Sequence, residues 1–145
     1  MAITTALCNS FKEELLGGVH DLDTDTIKIA LIKDTPTGTY NKSTTNYSDV
    51  TGDSDEVTGT GYTAGGNTLT SPAISLDGDT AIVDFANTTW STATISADGC
   101  IIYNSSASNA AIAVIDFGGT VTSTAGDFTV SFPTADASNA IIRIA

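Results

Sequence analysis

From Ile27 onward, apolar residues recur with the two-residue period of β-strands, in short runs separated by turn residues. The run at residues 81–85 is the clearest, because Ala81, Val83 and Phe85 fall on one face and Asp84 on the other. Gly, Asn, Asp and Ser between the runs favour turns, and Asp77-Gly78-Asp79 is typical of a hairpin. We predict eight or nine strands, at residues 27–33, 56–60, 68–76, 81–85, 88–95, 100–103, 110–117, 128–132 and 140–145.

The first 18 residues follow a different period. Leu7, Phe11 and Leu15 repeat at four-residue spacing, which predicts an amphipathic helix within residues 1–18. A glycine pair ends this helix, because glycine adopts the left-handed cap at little cost. Its start is open between a cap by Thr4 or Thr5 and a capping box of Ser10 with Glu13.

One helix followed only by strands indicates a mainly β chain, since helices do not alternate with the strands. A length of 145 residues is typical of one domain. We therefore predict a single β-rich domain over residues 1–145. The expected fold is an antiparallel β-sandwich, jelly-roll-like, with one N-terminal α-helix.

Residues 34–56 form a long polar stretch that predicts a loop. Loops of this length in compact domains are usually functional or mobile. Its two tyrosines, Tyr40 and Tyr47, are candidates for contact with a sugar or for anchoring the loop on a neighbouring subunit. Trp90 and Tyr103 lie in apolar strand-like segments, which favours core packing for both.

The chain is strongly acidic, with 17 Asp and Glu against 5 Lys and Arg and a formal net charge of −12. Such a chain repels phosphate backbones and anionic membrane surfaces, so we expect no nucleic-acid partner and no membrane. There is no recognisable secretory signal and no apolar run of about 20 residues. We therefore expect synthesis in a cytoplasm.

Residues for catalysis are scarce, and we predict that the chain is not an enzyme. The single histidine, His20, follows the helix and is expected in a turn or at the surface. The glycines of residues 59–66 lack the strand–helix context of a phosphate loop. We find no metalloprotease, nucleophile-elbow or phosphate-loop motif.

No cofactor is predicted, although a structural Ca²⁺ held by loop carboxylates stays open. Asp21, Asp23 and Asp25 resemble the start of an EF-hand loop, but Thr26 stands where glycine is required and Ile32 where glutamate is required. The two other acidic clusters lie in residues 49–56 and 77–79. Cys8 and Cys100 are expected as buried small apolar residues, with a disulfide as the alternative.

The last residues are apolar, and such a segment must pair inside a sheet or be buried against a partner. The candidate interface residues are Ile141, Ile142 and Ile144 of this segment, Leu7 and Phe11 of the helix, and Tyr40 and Tyr47 of the loop.

Four segments together carry a resemblance to a known family. They are MAITTALCNSFKEELLGG at the start, EVTGTGYTAGGNTL from residue 56, AIVDFANTTWSTATISADGCIIYNS from residue 81, and DFTVSFPTADASNAIIRIA at the end. The chain resembles small capsid cement (decoration) proteins of tailed phages, especially cyanophages. Residues 34–55 correspond least.

The resemblance implies a bacteriophage virion structural protein, made in a host bacterial cytoplasm and placed on the outer capsid surface of the mature shell. It implies a homotrimer bound to the major capsid protein, and it carries over no catalytic motif. Three alternatives stay open. They are a receptor-binding or fibre-associated module, a neck or tail component, and a carbohydrate-binding module. Glycan binding that depends on Tyr40, Tyr47 or Trp90 would favour the last.

Overall fold

The computed structural model describes residues 2–145, which form an antiparallel β-sandwich, so the predicted fold class is confirmed. The helices are α1 (Asn9–Leu16) and α2 (Tyr47–Gly52). The ten strands are β1 (Ala2–Ile3), β2 (Ala6–Leu7), β3 (Ile27–Lys33), β4 (Thr39–Tyr40), β5 (Asn67–Thr68), β6 (Ala73–Asp77), β7 (Thr80–Asp84), β8 (Thr88–Asn104), β9 (Ala110–Val130) and β10 (Ile142–Ile144).

The larger sheet has five antiparallel strands in the order β2-β9-β8-β3-β5. Its frame is the long β8–β9 hairpin, whose connection is the short 3₁₀ turn Ser105–Ala107. Several register shifts interrupt this ladder, and each is a bulge or irregularity that twists and bends the hairpin. The bending lets two long strands take part in a compact core.

The core lies against the middle of this sheet. Strand β3 is buried on both faces from Ile29 to Ile32, and residues 100–103 of β8 are buried throughout, as their continuous apolar run predicts. Trp90 and Tyr103 are 4% and 2% exposed, so the prediction that both pack in the core is confirmed. Each fully buried Ile or Leu side chain stabilises the fold by roughly 1.5–3 kcal/mol.

The smaller sheet has three strands in the order β10-β7-β6. Strands β6 and β7 form the predicted hairpin, in which Asp77 pairs with Thr80 across the two-residue turn Gly78-Asp79. Gly78 has a φ of 60°, which a glycine adopts readily at the first central position of such a turn. A third, two-stranded pairing of β1 with β4 is parallel and holds the first residues beside the 34–56 segment.

The N-terminal helix is shorter than predicted, because residues 6–7 pair with β9 as strand β2. Leu7 therefore lies on a strand, opposite Ala113, and its spacing from Phe11 does not reflect a helical face. Cys8 is the N-cap and makes no side-chain cap bond, so both predicted caps are wrong. The predicted end is correct, since α1 stops before Gly17 and Gly18 has a φ of 73°.

The predicted loop at residues 34–56 is folded onto the core and contains β4 and α2. The sequence predicts one helix, and α2 is the helix that it misses. Asn46 and Asp49 form a capping box at its start, and Val50 is buried beneath it. Six residues are too few for the periodicity of the sequence to identify a helix.

Several strand predictions are also wrong. Residues 56–60 contribute isolated bridges at Glu56 and Thr60 rather than a strand. The strands predicted at 88–95 and 100–103 are one strand, β8. Those predicted at 110–117 and 128–132 are also one, because β9 continues through Gly118 and Gly119 to Val130. Both glycines have positive φ values at an irregular part of the β8–β9 ladder, so they bend the strand there instead of breaking it.

Candidate functional site

Three of the predicted interface residues are core residues in this structure. Phe11, Tyr40 and Ile142 are each 1% exposed. Their side chains therefore offer almost no surface to a partner in the single chain, and their role in contacts stays a prediction. Ile144 is 53% exposed, while Leu7, Tyr47 and Ile141 are half-buried.

The structure brings Leu7 and Ile141 together at one apolar groove of about 790 Å³, which lies along β2, β9 and residues 131–145. That volume falls within the roughly 300–1,000 Å³ of typical ligand sites. Among the described residues, Arg143 supplies the one charged side chain of the groove, and no Asp or Glu lines it. On a chain with a net charge of −12, this groove is a surface to which residues 2–145 contribute no acidic side chain. Other apolar lining residues are Val114, Phe117, Val121, Phe128, Val130 and Phe132.

A second apolar surface lies on one face of the three-stranded sheet. Leu76, Ala81 and Ile144 are in register across its three strands, as are Ile74, Val83 and Ile142. The exposed residues of this face are Ile74 (54% exposed) and Leu76 (73%) of β6 and Ile144 (53%) of β10. The same face borders a groove of about 400 Å³ against the end of α1.

Tyr47 is held by its own chain. Its ring stacks on Tyr103 with 4.5 Å between the ring centroids, and its hydroxyl donates to Glu56 Oε2 at 2.5 Å. Glu56 also accepts hydrogen bonds from the Tyr62 hydroxyl and the Gly65 N–H. Burial raises the pKa of Tyr47 above its usual range and that of Tyr103 to about 12. These hydroxyls are thus structural donors at neutral pH.

Asp55 fixes the other end of the same segment. The side chain of Asp55 is fully buried and accepts hydrogen bonds from Gly38 N at 2.7 Å, Tyr40 Oη at 2.7 Å and Thr37 N at 3.0 Å. Lys33 Nζ lies 3.0 Å from its Oδ1. Burial alone would raise its pKa, but these hydrogen bonds outweigh burial and hold the pKa below its usual range.

His20 is buried, at 7% exposed, so its predicted place at the surface is wrong. Its Nδ1 lies 3.0 Å from Asn104 Nδ2, and its Nε2 lies 2.6 Å from Glu14 Oε2. The side-chain oxygen of Asn104, Oδ1, accepts hydrogen bonds from the Ser106 and Ala107 N–H groups. The side-chain NH₂ group of Asn104 therefore points toward His20. Nδ1 is therefore the acceptor of this hydrogen bond, and Nε2 is the ring nitrogen that faces Glu14. Both ring nitrogens have structural partners.

The carboxylates of the first acidic cluster accept hydrogen bonds from nearby backbone and side-chain donors. Asp21 Oδ1 accepts from the Asp23 and Thr24 N–H groups, and Asp25 Oδ2 accepts from the Asp21 N–H and the Asn104 amide. These bonds define a tight turn between α1 and β3. Within residues 2–145, no group of three or more His, Cys, Asp or Glu is arranged to hold a metal ion.

The two cysteines, Cys8 and Cys100, are buried free thiols, as predicted, and form no disulfide. Burial raises the pKa of Cys8 to about 12, with Asp49 and Glu14 adding to the shift. Burial likewise raises the pKa of Cys100 above its usual range. Neither thiol has the lowered pKa that makes a cysteine reactive.

The fold and its surfaces define an antiparallel β-sandwich domain with two apolar surfaces. Comparison of the chain with protein-family models, curated proteins and solved structures found no match. No helix in residues 2–145 has the length and apolar character needed to span a membrane.

Sequence reasoning missed the two exposed residues of β6, Ile74 and Leu76. Residues 68–76 are predicted as one strand, but Pro72 separates β5 from β6. Pro72 predicts an edge position or a bulge for part of this segment, and β6 is an edge strand. Alternation alone cannot tell whether the apolar face of that strand is covered.

Proposed function

We propose that the chain is a non-enzymatic structural protein of a phage particle, a capsid cement protein. In this proposal it binds the outer surface of the mature shell through the major capsid protein and assembles as a homotrimer. The resemblance of four sequence segments to such proteins motivates the proposal. Its fold and its surfaces are compatible with that role.

The observation that carries the proposal is the apolar groove along β2 and β9. It is lined by Leu7, Phe117 and Ile141 among others and by no carboxylate side chain. Apolar patches of this kind on otherwise polar proteins mark contact sites for other macromolecules. The surrounding negative charge disfavours nonspecific contact with nucleic acid.

The non-enzymatic part of the proposal rests on how the reactive side chains are used. His20 has both ring nitrogens in hydrogen bonds within the chain, and both thiols have raised pKa values. Tyr47 and Tyr103 are likewise bound to neighbouring groups. A protein that acts by binding needs no free nucleophile or base.

The mechanism would be mass action. A protein that binds the mature shell and not its precursor stabilises the mature form, and this stabilisation grows with the logarithm of the free protein concentration divided by the dissociation constant. Many modest contacts, repeated over the shell, would then oppose the pressure of packaged DNA.

The first test is the copy number of the chain per purified particle, measured against the major capsid protein. Hundreds of copies would support a shell component. A few to a few tens would favour the fibre-associated or the neck and tail alternatives. Absence from the particle would overturn the proposal and would direct attention to glycan binding, although Tyr40 and Trp90 are buried here.

A second test addresses the groove. Val121 lines it and is 45% exposed, so Val121→Asp places a charge there without burying it. We expect weaker binding of this variant to mature shells in a co-sedimentation assay. Leu16→Asp, at a leucine that is 92% exposed and outside the groove, is the matched control. Equal binding of both variants to mature shells would show that the groove is not the capsid contact.

A further inference from the structure

Strand β6 is an open sheet edge. It is the outer strand of the three-stranded sheet, and all five of its residues are exposed. The other edges are short or covered within residues 2–145: β2 and β5 have two residues each, and β10 has three, of which Ile142 is 1% exposed. An open edge with unpaired N–H and C=O groups is a template for another strand, and proteins usually block it with lysine, proline or a bulge. Residues 73–77 contain no lysine or proline.

The hairpin fixes which backbone groups point outward. Residues that flank a two-residue turn form a hydrogen-bonded pair, and such pairs alternate along an antiparallel ladder. Because Asp77 pairs with Thr80 across the turn, Ser75 and Ala73 also direct their N–H and C=O groups toward β7. The N–H and C=O groups of Ile74 and Leu76 therefore point away from the sheet.

This edge is complementary to itself. When two copies of β6 run antiparallel with Ser75 opposite Ser75, Ile74 of one copy stands opposite Leu76 of the other. The outward groups of these residues then form four hydrogen bonds, two for each Ile74–Leu76 pair. The apolar side chains of both copies also lie on the same face, because residues directly opposite one another share a face.

The charged side chains of β6 are compatible with the register that places Ser75 opposite Ser75. Asp77 stands opposite Ala73 of the second copy, so no like charges face each other. The two Asp77 residues lie at opposite ends of the contact, about four residues apart along the strands, or about 13 Å. That separation exceeds the Debye length of about 8 Å at physiological ionic strength. A second copy therefore fits this edge in backbone, side chains and charge.

We propose that β6 is a two-fold self-association edge, at which two copies of the chain join their three-stranded sheets into one six-stranded antiparallel sheet. The inference goes beyond the proposed function and does not depend on capsid binding. A two-fold contact cannot close a trimer, so in a trimeric assembly it would link neighbouring trimers. Isologous contacts of this kind are the commonest in symmetric oligomers.

The sharpest test is a disulfide at the symmetry axis. Ser75 would face its own copy as a non-hydrogen-bonded pair with about 4.5 Å between Cα atoms, which lies within the range that disulfides span. We expect Ser75→Cys to yield a covalent dimer under mild oxidation, visible on a non-reducing gel. Ser91→Cys, at an exposed strand serine elsewhere, is the control. Cys8 and Cys100 are buried and do not compete.

A second variant tests the contact without a cross-link. Leu76→Lys adds a charge at the edge, and we expect the dissociation constant of self-association, from sedimentation velocity, to rise at least about tenfold. Leu16→Lys makes the same change at another exposed leucine and should leave the dissociation constant unchanged. A folded Ser75→Cys protein that cross-links no better than Ser91→Cys would overturn the proposal. Equal association by the two lysine variants would overturn it as well.

Discussion

The buried carboxylate of Asp55 accepts several hydrogen bonds from the 34–56 segment. The conformation of that segment therefore depends on this residue. Gly38, Tyr40 and Thr37 donate to it, and Lys33 pairs with it. Asp55→Asn would remove the charge and present an NH₂ group to donors. We expect a loss of about 3 kcal/mol in the free energy of unfolding, measured by urea denaturation at pH 7. Asp127→Asn, at an exposed carboxylate, is the control and should change stability little.

The same variant gives a pH dependence with a definite sign. The pKa of Asp55 is lower in the folded chain than the roughly 3.9 of an unfolded aspartate. Its contribution is therefore complete above about pH 4 and is lost as the pH falls through the lower, folded pKa. The stability difference between wild type and Asp55→Asn should be constant near neutral pH and should narrow below about pH 4. A difference that widened in acid would contradict the assignment.

At the scale of the element, β10 holds the three-stranded sheet to the core. Ile142 is 1% exposed and pairs with Val83 of β7. Deleting residues 141–145 removes this strand and leaves a second edge of β7 open. We expect a loss of at least about 3 kcal/mol in the free energy of unfolding, the typical effect of removing a large core side chain. Circular dichroism during urea denaturation measures it.

Ile144→Ser is the matched control for this deletion. Ile144 is 53% exposed, so its replacement keeps the β10 backbone and should change the free energy of unfolding by less than about 1 kcal/mol. A truncated protein with the same free energy of unfolding as the full chain would refute this role of β10.

At the scale of the whole molecule, the net charge of −12 opposes compaction and association alike. Salt screens this repulsion, with a Debye length of about 30 Å at 0.01 M and about 8 Å at 0.15 M. We expect the midpoint of thermal unfolding to rise between these salt concentrations. Calorimetry would measure it, with sucrose at matched osmolality as the control for nonionic effects. A midpoint that fell with salt would show that attractive ion pairs outweigh the net repulsion.

Several elements could be predicted from short stretches of sequence alone. Alternation in residues 27–33 and 81–85, the Asp77-Gly78-Asp79 turn and the glycine pair after α1 appear in the structure where the pattern predicts them. Side-chain period and glycine conformation are properties of a few consecutive residues, so they can be recognised without the fold.

Which apolar residues are buried depends on contacts between distant parts of the chain, so it could not be predicted from the sequence. Leu7 has helical spacing from Phe11 but pairs with β9, and Tyr40 lies in a polar segment but is buried by its bonds to Asp55. Gly66 is needed because a Cβ atom there would meet the backbone carbonyl of Ile29. Each of these contacts joins residues far apart in the chain, and neither composition nor periodicity encodes that proximity.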